Sequence, residues 1–400
     1  MADIAILVYS GRTRSQKRKG KTFDAWSNVG AYVVKDILER AGYSVGWTTA
    51  DAAHQYKIVL VSLTSLFDVY NLIESVAHLA TWQKERRRFV VVAGGFGLQN
   101  VYPLRHWVDF AGFGRAEGFI VDLVAALLAG RDYDSEHVMP LREQIRPVRM
   151  AQVRELYPHA VQVGDFLFRE TVLGCPLQCA FCHYTHARKW IGGDPANYVR
   201  RGEYAGNAEG LFVQSADLVD GDNPQSRIIT GMDGFSERLR FAVNKRISNE
   251  ALIEVLTEAS ARSTGWVRYK LYMIGGYPNE TDGDRQEFID TMQRVKAPSA
   301  RLMVDVHLTP FRASPLTPAA WLRVNVEYDW RVLANKTIAE QGKYRAWFGK
   351  WIDGPLSHLM DTIIARATED SDDLVHALAI SWRAGKLSSV DALDAVRRQW

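Results

Sequence analysis

The sequence predicts an α/β protein in three parts. These are an N-terminal Rossmann-like parallel-sheet domain (1–130), a second strand-and-helix region (166–320) reached through a linker (131–165), and a helical C-terminal extension (321–400). Three observations carry this expectation. The first 130 residues alternate short apolar runs with helix-like segments, which argues for βαβ units. Residues 131–165 hold several charges and Pro140, Pro147 and Pro158 without sustained periodicity, the signature of a linker. Beyond Trp321 the pattern turns helical.

In chain order, Ile4–Tyr9 reads as the first strand, residues 29–41 as a helix and Ile58–Leu63 as a strand. Residues 69–83 read as a helix, 89–93 as a strand ending on Gly94-Gly95, and 121–128 as a helix. Gly94-Gly95-Phe96-Gly97 does not meet the dinucleotide spacing G-x-G-x-x-G, so a loop turn is the better reading. Gly20-Lys21-Thr22 fails as a phosphate loop because Ser15 stands where glycine is required. That loop carries Arg12, Arg14, Lys17, Arg18, Lys19 and Lys21, which either meet a phosphate-bearing substrate or form a solvated loop. Lys84–Arg88 reads as a solvated helix end. Helical patterning resumes over 359–367 and 373–382, with Gly385 as a stop.

Four hundred residues, 47% hydrophobic and 24% charged, exclude a disordered or low-complexity chain. A net charge of +3 is too small for a whole-molecule argument about nucleic acid. The sequence lacks a signal peptide and a membrane-length apolar run, so a cytoplasmic protein without a membrane partner is expected.

The three cysteines, Cys175, Cys179 and Cys182, lie within eight residues. This is no disulfide framework; it suits reduced thiolates gathered on one metal centre. The spacing C-x3-C-x2-C wraps three thiolates around a single 4Fe-4S cluster and leaves one iron open. Zinc is the competing metal, with His183 or His186 as fourth ligand, although the spacing departs from the paired C-x2-C of structural zinc sites. Three inert buried cysteines is the third reading.

Cys175, Cys179, Phe181 and Cys182 resemble the C-x3-C-x-aromatic-C signature of radical S-adenosylmethionine (SAM) enzymes. In that family the amino and carboxylate groups of SAM chelate the open iron. The reduced cluster cleaves the sulfonium to a 5'-deoxyadenosyl radical, and the radical abstracts hydrogen from substrate. The resemblance implies a partial (βα)6 barrel over the central region and places Phe181 near the adenine. Gly231-Met-Asp233-Gly-Phe-Ser236-Glu-Arg-Leu is similar to the G-x-E-x-G-S-E-R-L stretch of the subgroup with an N-terminal cobalamin-binding-type domain. This carries SAM-pocket roles to Asp233 and Ser236, with aspartate in place of glutamate and Phe235 in place of the second glycine. As plain residues, the same stretch is a strand-to-helix junction capped by Ser236. Lys270-Leu-Tyr-Met-Ile274-Gly275-Gly-Tyr-Pro278-Asn-Glu280-Thr281 is similar to the subgroup's K-L-Y-F-M-I-G-L-P-x-E-T segment, whose backbone pairs with adenine, a role carried to Ile274 and Gly275. Phe311-Arg-Ala313-Ser-Pro315-Leu-Thr317-Pro318-Ala-Ala-Trp321 is similar to F-x-P-x-P-x-T-P-x-x-W, with Ala313 for the first proline. The family's Gly-Gly-Glu-like element has as its counterparts Gln214, Ser215 or Asp217, whereas Gly192-Gly193-Asp194 comes too early.

The N-terminal region resembles the cobalamin-binding fold through Val61-Ser62-Leu63-Thr64, Ala93-Gly94-Gly95 and the segment Val108–Glu117. Residues 10–26 contain no histidine to ligate cobalt. Cobalamin either binds without that lower ligand or the domain keeps the fold without the cofactor.

With no cysteine left for a second cluster, sulfur insertion is disfavoured. The expected function is radical SAM hydrogen abstraction, on a nucleotide or nucleic-acid base suggested by the basic loop and by twelve tryptophans and sixteen tyrosines. The alternatives are a cobalamin-dependent methyltransferase acting on a small-molecule natural product and a non-catalytic metal-stabilised binding module. The resemblance also implies an external electron donor such as flavodoxin or ferredoxin. Tyr184, His186, His307 and Arg312 are further candidates to line the site, each with an equally ordinary structural reading.

Overall fold

The computed structural model describes residues 2–9, 28–83, 85–141, 145–164, 166–170, 173–175, 177–191, 219, 225–326, 328, 333, 335–351, 355–388, 391–394 and 397. The chain divides into two compact units, residues 1–170 with 187–189 and 359–400, and residues 171–186 with 190–358.

The first unit is a doubly wound α/β sheet. Strands β1 (Ile4–Tyr9), β2 (Val45–Trp47), β3 (Ile58–Leu63), β4 (Val90–Gly94), β5 (Phe110–Gly112) and β6 (Val138–Pro140) lie in the order β2-β1-β3-β4-β5-β6. All pairs are parallel except β5 with β6. Both residue parities of the central strands are buried, as a parallel sheet covered on two faces requires: Ile58 and Leu60 on one side, Val59 and Val61 on the other. The first side packs on helices α1 (Val29–Arg40) and α3 (Ile120–Leu128) through Ala31, Leu38, Leu123 and Val124. Helix α2 (Asp68–Val76) follows β3 and is buried almost throughout. Its outer contact is the chain's carboxyl-terminal part, where Phe67 meets Trp382 edge-on at 5.3 Å and the Tyr70 hydroxyl donates to the Met360 carbonyl at 3.1 Å.

Two expectations change here. Arg87, read as part of a solvated helix end, is buried against Asp109 at 2.6 Å, and Asp109 also accepts from Val91 N at 2.9 Å. The pair ties the start of β4 to β5, a long-range partnership invisible in a local run of arginines. Residues 131–165, read as a linker, add β6 to the first sheet and β7 (Val161–Val163), which pairs with β8 (Phe166–Phe168) and packs on α1.

The second unit has a sheet of order β12-β13-β11-β10-β9. Strands β9 (Gln225–Gly231), β10 (Trp266–Gly275), β11 (Arg301–Pro310) and β13 (Tyr344–Trp351) are parallel, and β12 (Thr337–Gln341) is antiparallel. The connections from β9 to β10 and from β10 to β11 run through α6 (Asn249–Arg262) and α7 (Asp282–Arg294), the βα repeat expected of a barrel segment. Strand β10 alternates: Val267, Tyr269, Leu271 and Met273 enter the core with Leu252 and Leu256 of α6 and Phe288 and Met292 of α7. Arg268, Lys270, Tyr272 and Ile274 face the other way and are half-buried. The helical extension holds α8 (Pro355–Arg366) and α9 (Asp372–Ala384), the latter closed by Gly385 at φ 70°. Residues 337–351, expected to be helical, are instead the strand pair β12 and β13. Tyr344, Ala346 and Phe348 alternate into the core, a period of two.

Candidate functional site

The cysteine segment is a closed loop. Leu173 and Ile191 pair at its base through N–O contacts of 3.2 and 2.9 Å. Gly174 takes φ 75° and Gln178 φ 50°, and the short helix α4 (His183–Ala187) begins directly after Cys182. Thr185 Oγ1 donates to the Cys175 carbonyl at 2.9 Å and accepts from Gln178 N at 3.1 Å. His186 Nε2 lies 3.0 Å from the Cys179 carbonyl, and Cys182 N donates to the same oxygen at 3.0 Å. From outside the loop, Asn244 Nδ2 donates to Leu177 O at 2.8 Å and Ala180 N to Val243 O at 2.9 Å. The loop backbone is thus held by hydrogen bonds, and none of the three cysteines is in a disulfide.

The loop lies at the carboxyl ends of the second sheet. Ala180 and Phe181, like Ile274 at the end of β10, pack against an apolar cluster that holds Tyr277, together with Phe311 and Ala313 just past β11. Phe181 and Tyr277 have ring centroids 6.5 Å apart. Asp233, in the left-handed conformation at φ 58°, follows β9; its carboxylate pairs with the fully buried Lys245 at 2.8 Å and its carbonyl accepts from the Tyr277 hydroxyl at 2.7 Å. Burial pushes the Cys179 thiol up to about 12, and the Lys245 charge works against that rise while Asp233 adds to it. Burial also raises Cys182.

Ser236 serves the fold directly. It caps α5 (Glu237–Ala242) by accepting from Leu239 N at 3.2 Å and donates to Asp284 Oδ1 at 2.5 Å. Asp284 also closes a capping box with Thr281 and pairs with Arg238 at 2.6 Å. Arg240 is fully buried, with its guanidinium donating to the carbonyls of Gly234, Phe235 and Ile247. The turn after β10 is similarly fixed: Gly276 N donates to Glu280 Oε2 at 2.6 Å and Tyr328 OH to Oε1 at 2.8 Å. The motif residues Ser236, Arg238, Glu280 and Thr281 therefore build the frame around Asp233, Ile274 and Gly275. Sequence reasoning missed Lys245, which stands between Asn244 and Arg246 and carries no local signal.

Gln214, Ser215 and Asp217, like Gly192-Gly193-Asp194 and the basic loop from Arg12 to Lys21, lie outside the described residues. Tyr184 OH accepts from Gly174 N at 3.3 Å, within the cysteine loop, and His307 stands on β11 with its ring 5.9 Å from that of Tyr272. Among the described residues no three His, Cys, Asp or Glu side chains converge into a metal-binding group. The fold brings the three thiols onto one loop without gathering them into ligand geometry. As donors they suit an iron-sulfur cluster: three thiols, no fourth cysteine, and a buried cation beside them to offset thiolate charge. Of the two histidines named for the zinc alternative, His186 has Nε2 engaged with the loop's own backbone, which leaves His183.

No family model matches the chain. An uncharacterised protein of Methanocaldococcus jannaschii is 23% identical over 321 residues, 67% of this chain and 69% of that protein. Structures of the cobalamin-dependent SAM radical enzyme OxsB align at 12% identity. The form with aqua-cobalamin covers 75% of this chain at a TM-score of 0.49, and the form with aqua-cobalamin and SAM does so at 0.48. The chain spans about half the length of those structures, 53% in each case.

No helix among the described residues is long and apolar enough to cross a membrane.

Proposed function

We propose that this chain is a radical SAM enzyme. The observation that carries the reading is the placement of Cys175, Cys179 and Cys182 as free thiols on one closed loop at the carboxyl ends of a parallel βα sheet. Those ends are where α/β barrels build their sites. Cys175, Cys179 and Cys182 would hold a 4Fe-4S cluster, which when bound and reduced would supply the one electron needed to split SAM into methionine and a 5'-deoxyadenosyl radical. Lys245 offsets the thiolate charge from its buried position next to Cys179 and Asp233. Phe181 and Ile274, which pack against one apolar cluster, and the backbone of Gly275 would receive the adenine, and Tyr277 holds Asp233 by donating to its carbonyl. Gln214, Ser215 and Asp217 are the candidates for the cofactor's amino group, and flavodoxin or ferredoxin for the electron donor.

Cobalamin belongs to this reading as a second cofactor on the first unit. The order β2-β1-β3-β4-β5 supports a site for it at the switch between β1 and β3, beside Leu63-Thr64, since open α/β sheets bind ligands at such points. The substrate in this reading is a nucleotide or nucleic-acid base; methyl transfer to a small molecule follows if cobalamin is bound.

The test is anaerobic reconstitution, reduction with dithionite, addition of SAM and chromatography of 5'-deoxyadenosine, with the cobalamin absorbance recorded alongside. Product that disappears in Cys179→Ala supports the reading. A colourless protein carrying zinc, or a cluster whose EPR signal ignores SAM, overturns it in favour of a metal-stabilised binding module.

A further inference from the structure

Large apolar side chains standing singly on a surface need no explanation, but their gathering beside a site does. Among the described residues seven large hydrophobic side chains are exposed, and four of them, Phe241, Leu316, Trp321 and Leu322, sit on the two segments that hold the cysteine loop. Trp321 is 93% exposed. Ala180, the residue after Cys179, donates to the Val243 carbonyl and accepts from Ala319 N, both at 2.9 Å. Val243 and Ala319 belong to one apolar cluster with Leu239. Phe241 therefore stands two residues from the first of these bonds, and Leu316, Trp321 and Leu322 stand within three of the second.

Positive charge rims the same place. Residues 237–248 and 311–326 carry six lysines and arginines against one carboxylate, Glu237, which accepts from Asn249 N at 2.9 Å. Arg240 and Lys245 are buried, and Arg238 holds Asp284. Arg246 and Arg323 are exposed, and among the described residues neither pairs with a carboxylate. Arg246 Nε donates to Asn244 Oδ1 at 3.3 Å, and Asn244 Nδ2 donates to the Leu177 carbonyl at 2.8 Å, so this charge stands at the edge of the cysteine loop.

We propose that this face docks an acidic, flavin-bearing one-electron carrier of the flavodoxin type. The inference rests on the radical SAM reading, in which the cluster takes up one electron; with only three cysteines the chain holds no second cluster to relay it. The electron therefore comes from another protein. The carrier's anionic flavin hydroquinone is oxidised to the neutral semiquinone, the cluster is reduced by one electron, and no proton moves and no bond forms or breaks. Electron-transfer partners meet over small interfaces, where opposite charge at the rim steers the encounter and an apolar centre seats it. A flavodoxin is acidic and presents the apolar edge of a planar ring, a match for the exposed indole of Trp321. A carrier seated here lies against residues bonded to Ala180, next in the chain to Cys179.

The experiment has two readouts. The first is isothermal titration of oxidised flavodoxin, and separately of a plant-type ferredoxin, into the full chain, which requires neither cluster nor SAM. Flavodoxin should bind, and more weakly as salt is raised. Trp321→Ser, and Arg246→Glu combined with Arg323→Glu, should each weaken it by about tenfold or more. Arg301→Glu, at the amino end of β11, and Leu167→Ser, on β8, both exposed, should match the wild type. The second readout is stopped-flow reduction of the reconstituted cluster by flavodoxin hydroquinone. It should slow by a similar factor in the face variants, while dithionite, which needs no docking face, reduces every variant at the wild-type rate. The proposal is overturned if the wild type binds no flavodoxin, if the face variants bind it and accept its electron as the wild type does, or if ferredoxin binds these residues more tightly. A chain that sediments as a dimer and becomes a monomer in Trp321→Ser also overturns it, and makes the face an interface between copies. The expected binding pattern in protein that takes up no cluster, or that releases no 5'-deoxyadenosine from SAM with dithionite, sinks the radical SAM reading and leaves the docking face standing.

Discussion

Lys245 Nζ lies 2.8 Å from Asp233 Oδ2, with the lysine fully buried and the Cys179 thiol close enough to feel both charges. Removing one member of a buried ion pair strands the other charge at a cost of about 3–5 kcal/mol, less where the survivor keeps some water, as Asp233 does. Lys245→Met and Asp233→Asn should each lower unfolding free energy by about 2–4 kcal/mol in urea titration. Asparagine tolerates the left-handed backbone at 233, so the loss reads out charge and not strain. The double variant should lose clearly less than the sum of the two. Additive losses would mean that the pair is not a unit.

Ser236 and Asp284 predict an acid signature. Asp284 is held down at about 2 from an ordinary 3.8, against the opposing effect of burial, by hydrogen bonds from Ser236, the Thr281 backbone and hydroxyl, and Arg238. Because the folded state favours the ionised form, its stabilisation is complete above about pH 4 and is lost as pH falls toward 2. Ser236→Ala removes a helix cap and a charge-assisted bond, and should cost about 1–2 kcal/mol at pH 6. The gap in stability between wild type and Asp284→Asn, followed by urea midpoints, should narrow as pH drops from 4 to 2. A gap independent of pH would show that Asp284 is not ionised in the folded protein.

The glycines after β4 separate packing from chain reversal. A Cβ on Gly95, at φ 108°, would come 2.3 Å from the Leu63 carbonyl, and one on Gly97 would come 2.3 Å from that of Ser65. Both obstacles are backbone. On Gly94 the nearest atom is 3.6 Å away. Gly95→Ala and Gly97→Ala should each cost more than about 2 kcal/mol, and Gly94→Ala about 1 kcal/mol or less. Equal effects at all three positions in urea titration would contradict this account of the loop.

Local periodicity made the first sheet legible. Ile4–Tyr9, Ile58–Leu63 and the strand ending at Gly94 are continuous apolar runs because a doubly covered parallel sheet buries both faces. The cysteine spacing announced its loop because three thiols so close together have few other uses. What stayed hidden depends on partners far along the chain. Arg87 belongs to Asp109, and α9 belongs to α2 through Trp382 and Phe67. Residues 337–351 belong to the second sheet because Tyr344, Ala346 and Phe348 find β11. Lys245 gave no spacing signal, since its significance comes from Asp233 and Cys179 reaching it through the fold. Motif resemblance marked Ser236 and Glu280, and the structure gives each a framing bond that the motif letters did not specify.

His358 supplies a second, opposite kind of pH dependence. It is buried on α8, and burial, reinforced by the Arg312 charge, holds it down to about 3 from an ordinary 6.5. The unfolded chain takes up a proton on this histidine below about pH 6.5, whereas the folded protein does so only near 3. Stability therefore falls as pH drops through that window, at a limiting slope of about 1.4 kcal/mol per pH unit for one proton. His358→Gln removes the titrating group while keeping polar atoms of similar reach. Over pH 6.5 to 4 the wild type should lose about 2–3 kcal/mol more than this variant, measured as unfolding free energy in urea at half-unit steps. The effect is separable from that of Asp284, which acts only below pH 4. Parallel curves for wild type and His358→Gln between pH 6.5 and 4 would show that the folded protein protonates His358 as readily as the unfolded chain does, and that α8 does not seal the ring from water.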